Sequence, residues 1–276
     1  MDHIYVISFH ECLDCVIDML KNISYFDNSS IILIYDGSYD QFLEFHRDEL
    51  LSYHSRIVFY PNSTHQEWAN VHNYVLDCMR YCELNFDYDI ITFIDSDQLL
   101  LRSGYIDHIR SAVQFYPYWG IYGNCFRIFE YNEDWLKDHN MFKNRYHLIE
   151  FLSKYYSLDE IDSNSFYLCF FPSTSYSRKA IRSLISFCDK TNLVEFLDLI
   201  DDMCVAIEFI FPTIIALEGY QLISSSSNYV RYRPYLNIND LDNIQRMHPY
   251  WLHPVYRDYN DLLRSTLRYY CFNYVK

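Results

Sequence analysis

The segment Asp89–Asp97, DIITFIDSD, constrains the fold more than any other part of this chain. Ile90 to Ile94 is a run of β-branched and aromatic residues, the composition of a strand buried on both faces. It stops on two carboxylates, Asp95 and Asp97, with Ser96 between them. In extended backbone, residues two apart project to the same side. Asp95 and Asp97 therefore converge just past the strand's carboxyl end, the edge at which open α/β sheets bind ligands. Two hard oxygen ligands suit Mg²⁺ or Mn²⁺, which commonly also takes phosphate oxygens of a substrate. Asp and Ser are equally the residues of turns and helix caps, so D-S-D alone is also the sequence of a solvated turn.

The pattern on either side makes the strand one of several. HIYVISF (His3–Phe9), IILIY (Ile31–Tyr35) and RIVFY (Arg56–Tyr60) have the same buried-strand composition. Helical periodicity lies between them, at Cys12–Ile23, Gln41–Tyr53 and Gln66–Leu84, the last with Trp68, Val71, Val75 and Met79 on one face. Strands separated by helices predict an α/β chain with a central, mostly parallel sheet flanked by helices. Residues 1–100 read as a Rossmann-like nucleotide-binding half. Residues 101–276 read as an acceptor-side half: strands at Ile121–Phe129 and Phe166–Phe171, helices at Arg145–Tyr156, Ser177–Cys188 and Leu193–Leu217, and a C-terminal closing segment from Leu241. No internal repeat or Pro/Gly-rich linker interrupts the 276 residues, so one continuous domain, 1–276, is expected.

Charge and composition exclude several functions. A net charge of −15 argues against general affinity for nucleic acid or an anionic membrane, where a basic face is needed. A protein this acidic that binds a nucleoside diphosphate needs a metal or local cations against repulsion. No apolar run approaches the roughly 20 residues of a membrane span. The first strand begins almost at Met1, so no signal peptide is expected and a cytoplasmic location is. The nine Cys are scattered through apolar segments, as buried reduced thiols would be. C-L-D-C at Cys12–Cys15 lacks the second close pair a zinc site would need.

With Asp36 and Asp95 both at strand ends, the chain resembles the GT-A-fold glycosyltransferases. I-Y-D-G-S-Y-D (Ile34–Asp40) resembles the family's D-D-G-S-x-D turn after the second strand, in which an acidic residue holds the base and ribose. Asp36, Gly37, Ser38 and Asp40 match, and Tyr35 replaces the first Asp. Asp95-Ser96-Asp97 corresponds to the D-x-D motif. The resemblance implies that Asp97 ligates the divalent metal, Mn²⁺ or Mg²⁺, and that Asp95 contacts the ribose or a metal-bound water. His65 and His10 join Asp36, Asp95 and Ser96 as expected donor contacts. A His from a C-terminal loop completes the metal site in many members; His253 in H-P-V-Y-R is the first candidate and His248 the second, with Arg257 placed to neutralise a diphosphate. Glu208 to Thr213 resembles the E-x4-T segment of inverting members, in which the Glu is the general base; Asp202 and Asp201 are the rival bases. The partners implied are a nucleotide-sugar donor, a UDP-sugar foremost, and a glycan or small hydroxyl acceptor, with transfer of a hexosyl or N-acetylhexosaminyl group.

Two other enzyme classes share parts of this pattern. A haloacid-dehalogenase-like phosphatase also ends a strand in D-x-D, but it wants Thr or Val where Leu99 stands and a later G-D-x-x-x-D. A sugar nucleotidyltransferase shares the sheet and the acids, but its glycine-rich phosphate loop has no counterpart after the first strand. A non-enzymatic binding module leaves the pairing of D-G-S with D-S-D unexplained.

Overall fold

The computed structural model describes residues 2–9, 13–65, 71–127, 140–157, 161, 166–199, 206–231 and 233–274. Its strands are β1 (His3–Phe9), β2 (Ile31–Asp36), β3 (Ile57–Phe59), β4 (Ile90–Asp95), β5 (Leu99–Leu100), β6 (Trp119–Arg127), β7 (Tyr167–Ser177), β8 (Gln221–Ser224), β9 (Tyr229–Val230) and β10 (Trp251–His253). The chain divides into two compact units. One holds Met1–His65, Tyr88–Gln114 and Ser225–Lys276, and the other holds Gln66–Asp87 and Phe115–Ser224.

In the first unit, β3, β2, β1 and β4 lie in that order, and every neighbouring pair is parallel. All residues of β1 and β2 are buried, which is why these runs are apolar without alternation. The sheet grows from β1 to one side through β2 and β3, then to the other side through β4. That reversal opens a crevice at the carboxyl end of β1, the usual ligand position in such sheets. The register pairs Phe9 with Asp36 and Ser8 with Asp95. Asp36 and Asp95 thus flank the end of β1, two strand spacings or about 10 Å apart.

A second, three-stranded sheet in this unit has the order β5-β10-β9, with β10 antiparallel to β5 and parallel to β9. Its strands are two or three residues long, too short to show periodicity, and the sequence gives no sign of them. They are held by an apolar cluster that includes Leu99, Leu101, Leu252, Val255, Ile244 and Leu267. The tail is also fixed to the helix Leu13–Phe26. Asp18 there accepts from Arg264 Nη1 (2.7 Å), Arg268 Nε (2.6 Å) and the Tyr274 hydroxyl (3.1 Å), and both ion pairs are fully buried.

In the second unit, β6 is antiparallel to β7 and parallel to β8. β7 leads directly into the helix Arg178–Lys190, whose first turn is capped by the Ser177 hydroxyl accepting from Ala180 N–H. The helix His72–Asn85 belongs to this unit too and is joined to it by Glu83, which pairs with both Arg178 and Arg182.

Several elements differ from the periodicity. Gln41–Tyr53 is two short helices, Phe42–Phe45 and Arg47–Leu51, parted at His46. Of the long helix expected from Gln66, His72–Asn85 is helical, and residues 66–70 lie outside the described ones. Leu193–Leu217 contains a helix at Leu193–Leu199, a π-helical turn at Ala206–Ile210 and a helix at Phe211–Leu217. Pro212 has no N–H to give the Glu208 carbonyl, and losing that bond favours the wider turn. Among the described residues, no helix is long and apolar enough to cross a membrane.

Two outcomes test these contacts. Asp18→Asn leaves two guanidinium groups buried without a counter-charge, and urea unfolding should show a loss of about 3–5 kcal/mol. His3 is buried with its ring nitrogens 2.9 Å from Ser30 Oγ and 2.8 Å from Thr92 Oγ1, and burial pushes its pKa down to about 3. The folded state therefore resists a proton that the unfolded chain accepts near pH 6.5. The stability from this group is whole above that pH and falls as pH drops towards 3, by up to about 1.4 kcal/mol per pH unit. Unfolding measured between pH 6.5 and 4.5 should show this slope in the wild type and lose it in His3→Gln.

Candidate active site

β4 delivers its two carboxylates on a turn that is tightly held. The buried Gln98 accepts the Asp95 N–H through Oε1 (2.7 Å), and the Gln98 N–H donates to the Asp95 carbonyl (3.1 Å). Val255 N–H donates to the Asp97 carbonyl at 2.8 Å, so the tail grips the D-S-D turn by its backbone. Asp97 and Ser96 are buried, while Asp95 is about one-third exposed.

β10 carries His253 into this turn. Its Nε2 lies 3.3 Å from Asp97 Oδ1 and 3.7 Å from Asp95 Oδ2. Its Nδ1 is 3.0 Å from the Arg231 carbonyl. A carbonyl only accepts, so Nδ1 holds the donated proton, and in the neutral ring the lone pair of Nε2 faces the carboxylates. Arg257 Nη2 approaches the other Asp97 oxygen at 3.4 Å. Burial works against charge on His253, but the contact with Asp97 and the charges of Asp97 and Asp95 outweigh it and raise its pKa. Burial also works against the Asp97 carboxylate, which His253 and then Arg257 hold below the ordinary range.

These residues fit a divalent cation. Asp97 Oδ1 is buried, and the His253 ring at 3.3 Å is the contact that faces it. Ligand atoms of Asp95, Asp97 and His253 all lie within 4.8 Å of one another. Atoms sharing one ion through bonds of about 2.0–2.2 Å stand roughly 3.0–3.5 Å apart at right to tetrahedral angles, close to the spacings seen here. Two carboxylates and one imidazole make a donor set of hard oxygens with one softer nitrogen. The hydrogen bond from Nδ1 to Arg231 fixes the ring in the orientation and tautomer a metal ligand needs.

Across the end of β1, Asp36 organises the D-G-S turn. One oxygen accepts the N–H (3.1 Å) and hydroxyl (2.5 Å) of Ser38, and the other accepts Leu43 N–H (3.0 Å). Gly37 N–H closes the turn on the Phe9 carbonyl. His65 Nδ1 is 3.1 Å from the Gly37 carbonyl, and its ring meets Tyr39 edge-on at 5.4 Å. Tyr35, standing where the family has Asp, stacks on Tyr60. Asp36 is thus turned into its own loop, and the exposed ring of Tyr39 beside His65 is the open surface there. Nothing in the sequence pattern singled out Tyr39, Gln98 or the Arg231 carbonyl, which depend on contacts distant in sequence or on backbone groups.

In the second unit, Glu208 Oε1 accepts Phe171 N–H at 2.9 Å, and Thr213 Oγ1 accepts Tyr167 N–H at 3.2 Å. Both ends of the E-x4-T segment are therefore fastened to the backbone of β7. His10, Asp201 and Asp202 lie outside the described residues. His248 ends the helix Leu241–Met247 in a left-handed conformation, exposed, and is not part of the Asp95–Asp97–His253 cluster.

No protein-family model and no curated protein matches the sequence. Solved structures do match. The galactosyltransferase LgtC, crystallised with donor and acceptor sugar analogues, aligns over 96% of this chain and 93% of that chain, with TM-score 0.53 and 10% identity. The fold is that of the GT-A-type glycosyltransferases. An active-site variant of LgtC aligns with the same coverage at TM-score 0.50 and 11% identity. WbbM, a bifunctional glycosyltransferase, aligns over 91% of this chain and 45% of its own at TM-score 0.46 and 13% identity. The Asp95–Asp97–His253 group lies entirely within one unit, at the end of β4 and on β10.

Titration calorimetry should show one Mn²⁺ bound per chain. Removing one of three ligands should weaken it by more than about 100-fold, in Asp97→Asn and in His253→Ala alike, while His248→Ala binds as the wild type does. Unchanged affinity in both ligand variants would exclude this cluster as the metal site.

Proposed function

We propose that the protein is a metal-dependent glycosyltransferase that moves a hexosyl or N-acetylhexosaminyl group from a nucleotide-sugar donor, a UDP-sugar, to a hydroxyl of a glycan or small acceptor. The observation that carries the reading is the Asp95–Asp97–His253 cluster at the carboxyl edge of a parallel sheet with GT-A topology. The donor and acceptor sugar analogues in the LgtC structure support a two-substrate site on this fold.

The chemistry follows from charge. Breaking the bond between sugar and phosphate leaves negative charge on the departing diphosphate, in a protein whose own net charge is −15. Mn²⁺ bound by Asp95, Asp97 and His253 would stabilise that charge as it develops. Arg257, two-fifths exposed beside Asp97, adds a fixed cation on the same side. The D-G-S turn built by Asp36, with Tyr39 and His65 at its rim, would seat the base and ribose. Ser96 and His10 complete the donor contacts of this reading. Glu208 is the proposed general base for an inverting transfer and Asp202 the rival. The π-helical turn and the Phe171 N–H fix the position of the Glu208 carboxylate, as a base that must meet one hydroxyl requires.

The expected result is stabilisation by UDP with Mn²⁺ and little by UDP with chelator. A ligand at 100 times its Kd adds about 2.7 kcal/mol, an easily resolved shift in melting temperature. Hydrolysis of a panel of UDP- and GDP-sugars should then identify the donor, with Asp97→Asn inactive. In a transfer assay with a glycan acceptor, Glu208→Gln should lower turnover by roughly 10²–10⁴ and leave UDP binding intact. Equal stabilisation by UDP with and without metal would remove the reading. Full transfer by Glu208→Gln would move the base to Asp202.

A further inference from the structure

A second chemical feature lies in the other unit and is independent of the proposed function. Cys125 on β6 and Cys169 on β7 are direct partners in the antiparallel register. Their Sγ atoms are 2.7 Å apart. Non-bonded carbon atoms rest at about 3.5–4.0 Å and sulfur is larger, whereas a disulfide bond is about 2.05 Å. Both are free cysteines in this structure, with their sulfurs side by side. Directly opposed residues of an antiparallel pair have Cα atoms about 4.5–5.5 Å apart, within the span of about 4.4–6.8 Å that a disulfide bridges. Closing the bond asks for no movement of the strands.

The surroundings favour this over other roles for two thiols. Both are buried, Cys125 at 5% and Cys169 at 1%. A Cβ at Gly123 would stand 3.0 Å from Thr174 Oγ1 and in ordinary contact with the Cys169 sulfur, at 3.4 Å. Thr174 Oγ1, 3.5 Å away, is the hydrogen-bond neighbour of Cys169, and its hydroxyl proton goes to the Phe170 carbonyl. Among the described residues, Asp95, Asp97 and His253 are the one group of three or more potential metal ligands. Two thiols without a third or fourth ligand do not make a zinc site.

We infer that Cys125 and Cys169 form a cross-strand disulfide, closed as β6 and β7 pair when the chain folds in the presence of a small-molecule disulfide such as glutathione disulfide. In the unfolded chain one thiolate attacks the oxidant, forms a mixed disulfide and releases one glutathione. On pairing, the second Cys thiolate attacks the protein sulfur of that mixed disulfide and expels the second glutathione. Two protein thiols are oxidised, and one glutathione disulfide is reduced to two thiols. Burial then keeps external reductants away from the bond. The consequence reaches the proposed general base, because β7 carries Phe171, two residues after Cys169, whose N–H holds Glu208. The bond would hold that strand to β6 whether or not Glu208 is the base.

Production in a host with an oxidising cytoplasm, and in parallel in an ordinary reducing host, tests the inference. Soluble protein from each is denatured in an alkylating agent and mapped by mass spectrometry. The oxidised sample should give a Cys125–Cys169 linked peptide pair, 2 Da lighter than the two thiols, and the reduced sample none. The bond should raise the melting temperature by roughly 5–15 °C, the effect expected for a loop of this length. Cys125→Ala/Cys169→Ala should melt identically from both hosts. Recovery of Cys125 and Cys169 as alkylated thiols from the oxidising host, or of either linked to another cysteine, would overturn it. The map uses the wild-type chain, so the test stands even where the double variant fails to fold.

Discussion

Two carboxylates at the end of an apolar, buried strand repel each other, and Asp97 is shut away from water; the rest of the first unit is arranged around that problem. Asp95 ends β4 and Asp97 follows in a tight turn, held by the Gln98 side chain and by Val255 N–H. Left alone, one would take up a proton. The fold instead places an imidazole and a guanidinium against them, from a segment more than 150 residues later. His253 is held by a small sheet and by the Arg231 carbonyl rather than by local preference. The charge balance at the site is thus a tertiary contact that ties the two ends of the chain into one unit.

That contact needs an anchored tail. The apolar cluster beneath β5 and β10 supplies burial, and Asp18 supplies direction by taking Arg264, Arg268 and Tyr274 together. A buried ion pair contributes little net stability against an apolar alternative, but breaking one is costly. Asp18 is therefore better understood as fixing where the C-terminal helix docks than as a source of stability. The same reasoning separates His3 from His253. Both are buried, but His3 meets two hydroxyls and stays neutral, whereas His253 meets two carboxylates and is driven towards the charged form. Burial alone assigns no role to a histidine; the charge of its partners does.

Much of the first unit was legible because its signals are local. Ile90–Ile94 and His3–Phe9 can be recognised from composition alone, since a strand covered on both faces cannot alternate. Asp36 and Asp95 could be placed at strand ends for the same reason. The E-x4-T segment was legible as residues but not as geometry, because Pro212 widens the turn before it and both its polar ends bind β7. The two-residue strands β5 and β9 carry no period, and Tyr39 has no pattern to mark it as the rim of the Asp36 turn.

The sequence by itself determined that the chain would build parallel strands ending in carboxylates, because β-branched runs and extended-chain alternation are properties of neighbouring residues. The resemblance also named His253, ahead of His248, as the residue completing the metal site, and Arg257 as the diphosphate's cation, without the contacts that hold either. Only the tertiary structure decided the distances at which His253 and Arg257 meet Asp97, that Asp36 turns into its own loop, and that Cys125 lies against Cys169. Each of those depends on strand register or on the docking of a distant segment. Register and docking are set by the packing of many residues together, and no window of the sequence contains them.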